Sequence, residues 1–398
     1  MPVPSLKTKS PAGPKSPGGE KQPAIVIPFT RGARKKSRVV TTVTATPTTS
    51  QVTLAPIQVP PGGYLRRLIL DVTGTTSGNL ANVAFNNDGP FIVLANVALS
   101  AANGDSIINP LSGFTLSRLQ KYGAFSTNAG CAPENDPAYS ATTGTGSTGG
   151  SFHFALDIPV EVDERDGLCS LPNMAANQAF QLNMSLDTLA HIYSTAPTSA
   201  PSVTIVVTME YWAVPAPSNS QGVVQQTSPR VNNAVSLLQT QMPTITASTD
   251  QIIPLLNVGN TVRFVYFELR TSAGVRTDAD WPALMNVLIN NDLWLAKSKN
   301  NWIRQLGRDY RLTGAKNAVP TVGALDNGCF ILDDFMNSGS PGKVPSGSSN
   351  RDLMLVTGSG TAFNIEAVSW GANAASLLVV TNALRIPDPT SFYAPLGV

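Results

Sequence analysis

Short stretches of strictly alternating apolar and polar residues, recurring along most of the chain, constrain this sequence more than any other feature. In Phe152–Ile158 the residues Phe152, Phe154, Leu156 and Ile158 alternate with His153, Ala155 and Asp157. Phe180, Leu182, Met184 and Leu186 do the same. A period of two places one set of side chains on one face of a β-strand, so each stretch predicts a strand with one buried face. β-branched or apolar runs at 39–46, 64–72, 91–99 and 203–214 extend the series, and the turn Asn86-Asn87-Asp88-Gly89-Pro90 separates two of them. The stretch from Ile107 to Tyr122 continues it, giving about eight strands before residue 215, the number in one jelly roll.

Residues 215–240 then read as a linker, with Pro215, Pro217, a Gln/Ser stretch and a short helical segment at 231–239. From Met242 strand signals resume at 242–256, 262–270, 328–333, 353–356, 363–368 and 377–384. Between them, residues 280–312 predict a helix with Asp280 as N-cap and Pro282 in its first turn. Its apolar face would be Leu284, Leu288, Trp294, Leu295, Trp302, Ile303 and Leu306, with Gly307 as its break. The expected fold class is all-β: two tandem eight-stranded jelly rolls with short helical insertions and a disordered basic N-terminal arm. The expected divisions are an arm at 1–38, a first jelly roll at 39–217, a linker with a short helix at 218–241, and a second jelly roll at 242–398. The duplication rests on pattern, since no residue-level repeat is evident.

Charge is scarce and uneven. Only 13% of the 398 residues are charged, so the surface must be built largely from Thr, Ser, Asn and Gln. The first 38 residues hold nine basic side chains, Lys7, Lys9, Lys15, Lys21, Arg31, Arg34, Lys35, Lys36 and Arg38, against the single acid Glu20. The formal net charge of +2 thus conceals an arm at +8 on a body at −6. Such an arm meets nucleic acid or an anionic membrane, or it is a solvated tail. With seven prolines and few apolar residues it does not bury enough surface to offset ordering entropy, although Ala24–Phe29 is an apolar piece suited to packing on a neighbour. No apolar run is long enough to span a bilayer, and no secretory leader is expected.

Reactive chemistry is sparse. Cys131, Cys169 and Cys329 are odd in number and form no paired motif, and His153 and His191 sit in no recognisable catalytic pattern. Gly144-Thr145-Gly146-Ser147-Thr148-Gly149 has glycines at nucleotide-loop spacing but lacks the preceding strand and following helix. Glu161, Asp163, Glu164 and Asp166 read as a solvated turn before a cation site, and Asn183-Met184-Ser185 falls inside a strand. No catalytic residue, cofactor or metal is expected.

The run Phe85-Asn86-Asn87-Asp88-Gly89-Pro90-Phe91-Ile92-Val93-Leu94, followed by Asn103-Gly104-Asp105 and by Lys121-Tyr122-Gly123, resembles the first jelly roll of tectivirus-type major capsid proteins of membrane-containing icosahedral bacteriophages. The segments 150–162 and 177–186 resemble its later strands, Ile252-Ile253-Pro254-Leu255-Leu256 the opening of the second jelly roll, and 377–384 its last strand. The resemblance implies a double jelly roll forming pseudo-hexagonal homotrimers that tile an icosahedral shell, a structural role without enzymatic activity. It further implies penton and minor capsid proteins as partners, a virion location after assembly in the host cytoplasm, and an inner face near membrane or genome. Two other readings stand beside it. One is the coat protein of a small RNA virus, with one jelly-roll shell domain and a projecting domain. The other is a carbohydrate-binding or hydrolytic β-sandwich, which the 7% aromatic content does not favour.

Overall fold

A computed structural model describes residues 26–77, 79–123, 133–256, 258–310, 312, 325–335 and 354–387. Sixteen strands carry the architecture. The first eight are β1 (Arg34–Ala45), β2 (Val52–Thr53, continued by Ile57–Gln58), β3 (Gly63–Thr75), β4 (Leu94–Ser100), β5 (Ser106–Leu111), β6 (Phe152–Pro159), β7 (Gln181–Leu186) and β8 (Ser202–Ala213). The second eight are β9 (Val235–Gln241), β10 (Gln251–Pro254), β11 (Thr261–Thr271), β12 (Leu284–Ile289), β13 (Asp292–Ser298), β14 (Cys329–Leu332), β15 (Phe363–Val368) and β16 (Ala374–Arg385). The helices named below are α1 (Phe29–Gly32), α2 (Gly113–Tyr122) and α3 (Lys299–Asp309).

In the first unit the strands lie in the orders β1-β8-β3-β6 and β2-β7-β4-β5; in the second, β9-β16-β11-β14 and β10-β15-β12-β13. The second pair of orders is the first with eight added throughout, so the duplication expected from pattern is present in the topology. Each unit is a jelly roll. A helix follows the equivalent strand in each: α2 after β5 and α3 after β13, capped by the hydroxyls of Ser112 and Ser298 accepting from the N–H of Thr115 and Asn301.

The cores follow from the alternation. Leu68, Leu70 and Val72 of β3, Phe154 and Leu156 of β6, and Val203 and Val207 of β8 are fully buried, while their neighbours face outward. β11 departs from this pattern, with nine consecutive buried residues from Thr261 to Leu269, because α2 of the first unit covers its second face. In the second unit Trp281 stacks on Phe330 at 3.9 Å, with Trp302 and Trp370 packed edge-on against it. One hydrophobic cluster runs through both units. A parallel bridge between Ile108 of β5 and Leu238 of β9 joins a sheet of each into one continuous sheet.

Several expectations need correction. The helix expected over 280–312 is a β-hairpin followed by a shorter helix. Asn290 and Asn291 both take positive φ (53° and 67°), the turn geometry that joins two twisted strands, and α3 starts only at Lys299. Asp280 is no N-cap: it is buried and accepts from Thr277 Oγ1 (2.9 Å) and the N–H of Asn373 (3.0 Å). Gly307 lies inside α3, which continues to Asp309. The helical segment expected at 231–239 is instead β9, antiparallel to β16, so the second jelly roll begins inside the expected linker. The strand expected at 242–256 reduces to Gln251–Pro254. Ile107–Tyr122 divides into β5 and α2, because Ser112 caps a helix there.

Candidate assembly surface: the basic edge of the first jelly roll

The basic segment is anchored where the sequence suggested a free arm. Phe29, the first residue of α1, is 1% exposed and packs edge-on against Tyr64 (5.2 Å) and Trp212 (6.1 Å). The N–H of Ile27 donates to the carbonyl of Val224, and the N–H of Phe29 to Gln226 Oε1. Within the apolar piece 24–29, Ile27 and Phe29 are therefore held by their own chain, while Val26 stays exposed. The chain then enters β1 at Arg34, five residues before the predicted start, with Arg34–Ala45 antiparallel to β8.

β1 is the terminal strand of its sheet, and Arg34, Lys35, Lys36, Ser37, Arg38 and Val39 are all exposed. Beside it lies a charge network. Arg66, buried, donates to Glu161 (2.7 Å), to Glu164 and to Glu210 (3.4 Å), and its guanidinium sits 4.8 Å from the Trp212 ring centre. Arg67 pairs with Glu210 (2.7 Å) and Asp157 (3.2 Å), and Lys35 with Glu164 (2.6 Å). Partial burial works to raise the Glu164 carboxyl pKa, but the Lys35 hydrogen bond and the Arg66 and Lys35 charges outweigh it and hold it below the usual range. Arg66, Arg67 and Lys35 thus spend their charge on the acids around them. Arg34 and Lys36 have no carboxylate within ion-pair distance among the described residues.

Of the nine basic residues singled out in sequence, Arg31, Arg34, Lys35, Lys36 and Arg38 come together at this end of the first sheet. Lys7, Lys9, Lys15 and Lys21 lie outside the described residues, as does Cys131. The sequence did not single out Arg66 and Trp212, which together with Phe29 of the apolar piece 24–29 hold the segment in place; the adjacent Arg66-Arg67 pair inside an apolar run was the available signal.

The other motifs resolve into structure. Glu161 and Glu164 are consumed by Arg66, Asp163 pairs with Arg165 (2.7 Å), and Asp166 accepts from the N–H of Leu168. Among the described residues no group of three or more His, Cys, Asp or Glu is placed to hold a metal ion. His153 uses both ring nitrogens, Nε2 toward Asp71 (2.5 Å) and Nδ1 toward the Ala138 carbonyl (2.6 Å). Nδ1 of His191 lies 3.1 Å from Asp187. Cys169 and Cys329 are buried and not disulfide-bonded, Gly144–Gly146 is a short strand in a side sheet, and Asn183 lies in β7.

A second cluster fixes the two jelly rolls to each other. Asp88, in the turn that carries the sequence resemblance, accepts from Arg276 (2.7 Å) and Arg270 (2.6 Å) of the second unit. Burial favours the neutral Asp88 acid, yet the two guanidiniums prevail and lower its pKa. Arg276 also donates to the carbonyls of Asn87, Leu325 and Asn327. Nearby, Asp326 accepts from Arg118 (3.2 Å), Lys121 (2.5 Å) and Tyr122 (2.6 Å), three residues of α2. The Asp326 cluster is fully buried and the Asp88 cluster largely so, and both pair residues of one unit with residues of the other, so they set the relative position of the units.

The double jelly roll built in this way is the fold of viral major capsid proteins. In particular, the chain is similar to the STIV major capsid protein, with a TM-score of 0.59 at 15% identity, covering 91% of this chain and 99% of that one. The Sulfolobus Turreted Icosahedral Virus atomic structure gives a TM-score of 0.58 at 12% identity, over 89% of this chain and 91% of the matched chain. The PBCV-1 virus capsid gives 0.55 at 12% identity, over 92% and 96% respectively. No protein-family model matches the sequence, and neither does any curated protein. At the level of the fold, the double jelly roll read from the sequence is borne out.

Proposed function

We propose that this chain is a major capsid protein that forms pseudo-hexagonal homotrimers and tiles an icosahedral shell. The observation that carries the reading is a duplicated jelly roll matching the STIV major capsid protein over nearly the whole of both chains. Six jelly rolls per trimer supply a six-sided outline from threefold symmetry, which packs on a lattice. With only 13% of the chain's residues charged, copies meet without desolvating many ions. The virion is then its location and its own copies its main partners, with penton and minor capsid proteins filling the lattice and assembly taking place in the host cytoplasm. The basic segment from Arg31 to Arg38 marks the inner face, where it meets an anionic partner, internal membrane or genome, at about 1 kcal/mol per basic residue near a charged membrane.

The RNA-virus coat reading requires a second domain that projects on a hinge. The continuous sheet through β5 and β9 and the buried Asp88 and Asp326 clusters favour two jelly rolls locked side by side. Light scattering on the purified protein tests the proposal. Three copies of 41.8 kDa, about 125 kDa, are expected from closed threefold symmetry, and a protein that stays at 41.8 kDa at every concentration would overturn it.

A further inference from the structure

Within the chain, β5 meets β9 in parallel at the Ile108–Leu238 bridge, and this joint links the first jelly roll to the second. Since the strand orders repeat with an offset of eight, the counterpart of β5 is β13 and the counterpart of β9 is β1. Both counterparts are terminal strands, paired on one side only among the described residues. The chain thus carries one completed joint and the two unmatched halves of another.

Residue positions sharpen the correspondence. Ile108 stands four residues before Ser112, the N-cap of α2, and Trp294 stands four before Ser298, the N-cap of α3. Leu238 pairs with Asn382, three residues from the end of β16; the same position on β8 is Glu210, whose partner on β1 is Ser37. The surfaces at these points suit each other. Leu293 (61%), Trp294 (42%) and Val39 (58%) are exposed apolar residues, unusual on a strand meant for water. Trp294 is held in place by stacking on Phe335 at 4.6 Å. An exposed indole also takes a guanidinium or ammonium on its face, and Arg34, Lys36 and Arg38 flank Ser37 and Val39.

We infer that β13 of one copy lies alongside β1 of a second copy, reproducing between chains the joint that β5 and β9 make within one. The inference rests on the capsid-trimer reading and names its contact surface. Such a joint is head-to-tail, as a threefold ring requires, and each copy gives one half and receives the other. Basic residues along a strand edge discourage indiscriminate ladder pairing. The internal joint is a single bridge, so its counterpart needs no long ladder and tolerates them.

Cysteine cross-linking tests this. In a Cys131→Ser background, in which Cys169 and Cys329 are buried, Ser37→Cys and Trp294→Cys are placed in the same chain and oxidised. A second pair, Val39→Cys with Leu293→Cys, leaves the Trp294 stack intact. The expected result is a covalently closed three-chain band on a denaturing gel for at least one pair, with single-cysteine chains remaining uncross-linked. Trimers by light scattering without cross-links from either pair would overturn the β13–β1 contact while leaving the capsid-trimer reading standing. Parent protein that is monomeric by light scattering would overturn both.

Discussion

His153 has two partners, the Asp71 carboxylate and the Ala138 carbonyl, and both accept hydrogen bonds, so only the doubly protonated ring satisfies both. Partial burial works against the charged ring, but the bonds to Asp71 and Ala138 and the charges of Asp71 and Asp136 outweigh it. Together they raise its pKa above the ordinary 6.5. A raised folded-state pKa contributes stability that is fully present below the unfolded value and is lost as pH rises through the folded one. The gap in unfolding midpoint between the parent and His153→Gln should therefore be largest below about pH 6.5 and close at higher pH. A gap constant with pH would contradict this account. Asp326 is a harsher case, because its removal leaves Lys121 buried without its ion-pair carboxylate, while Arg118 keeps only Glu134 (2.5 Å). Asp326→Ala should cost about 3–5 kcal/mol in denaturant unfolding. Neither role was legible in sequence. A charge reads as solvent-facing until its partner, here more than 200 positions away, is placed beside it.

Among the elements, strands with one solvated face were the most legible. Phe152–Pro159 and Gln181–Leu186 lie where their alternation put them, and Phe363–Val368 has the bounds read from sequence. α2 escaped because Phe114 and Leu116 alternate with Thr115 and Ser117 as strand residues do, and because its polar residues, Arg118 and Lys121 included, are buried rather than on a solvated face. The β12–β13 hairpin was mistaken for helix because Leu284, Leu288 and Leu295 fit a helical spacing as well as two strands. The Asn290-Asn291 pair was the overlooked turn signal. Asn291, at φ 67°, should tolerate Gly, whereas Asn291→Ala should cost about 1–2 kcal/mol in thermal or denaturant unfolding. The equivalent caps allow a paired test. Ser112→Ala and Ser298→Ala should each lose about 1 kcal/mol, and a neutral effect at both would remove the caps from the account of why these helices begin where they do.

At the scale of the whole molecule, two jelly rolls in tandem were legible from the recurrence of strand signals, but their rigid union was not. The joint depends on one backbone bridge, on the aromatic contacts of Tyr122 with Tyr266 and Tyr310, and on ion pairs between residues far apart in sequence. The same distance explains the candidate surface. Four of the nine basic residues singled out in sequence, Arg34, Lys35, Lys36 and Arg38, lie on an edge strand anchored by Phe29 and Trp212, and that placement came only from the fold. Arg34→Glu combined with Lys36→Glu should leave the unfolding midpoint almost unchanged, since both side chains are exposed. The same change should weaken sedimentation with anionic vesicles or with double-stranded DNA, and which of the two responds identifies the anionic partner proposed for the segment. Equal binding by parent and variant to both would remove the segment from the inner face. The most direct test of the central claim is a cryo-electron microscopy reconstruction of the purified oligomer. The account expects a threefold particle with six jelly rolls in one ring and a hexagonal outline; a monomer, or a dimer with one jelly roll projecting from each chain, would contradict it.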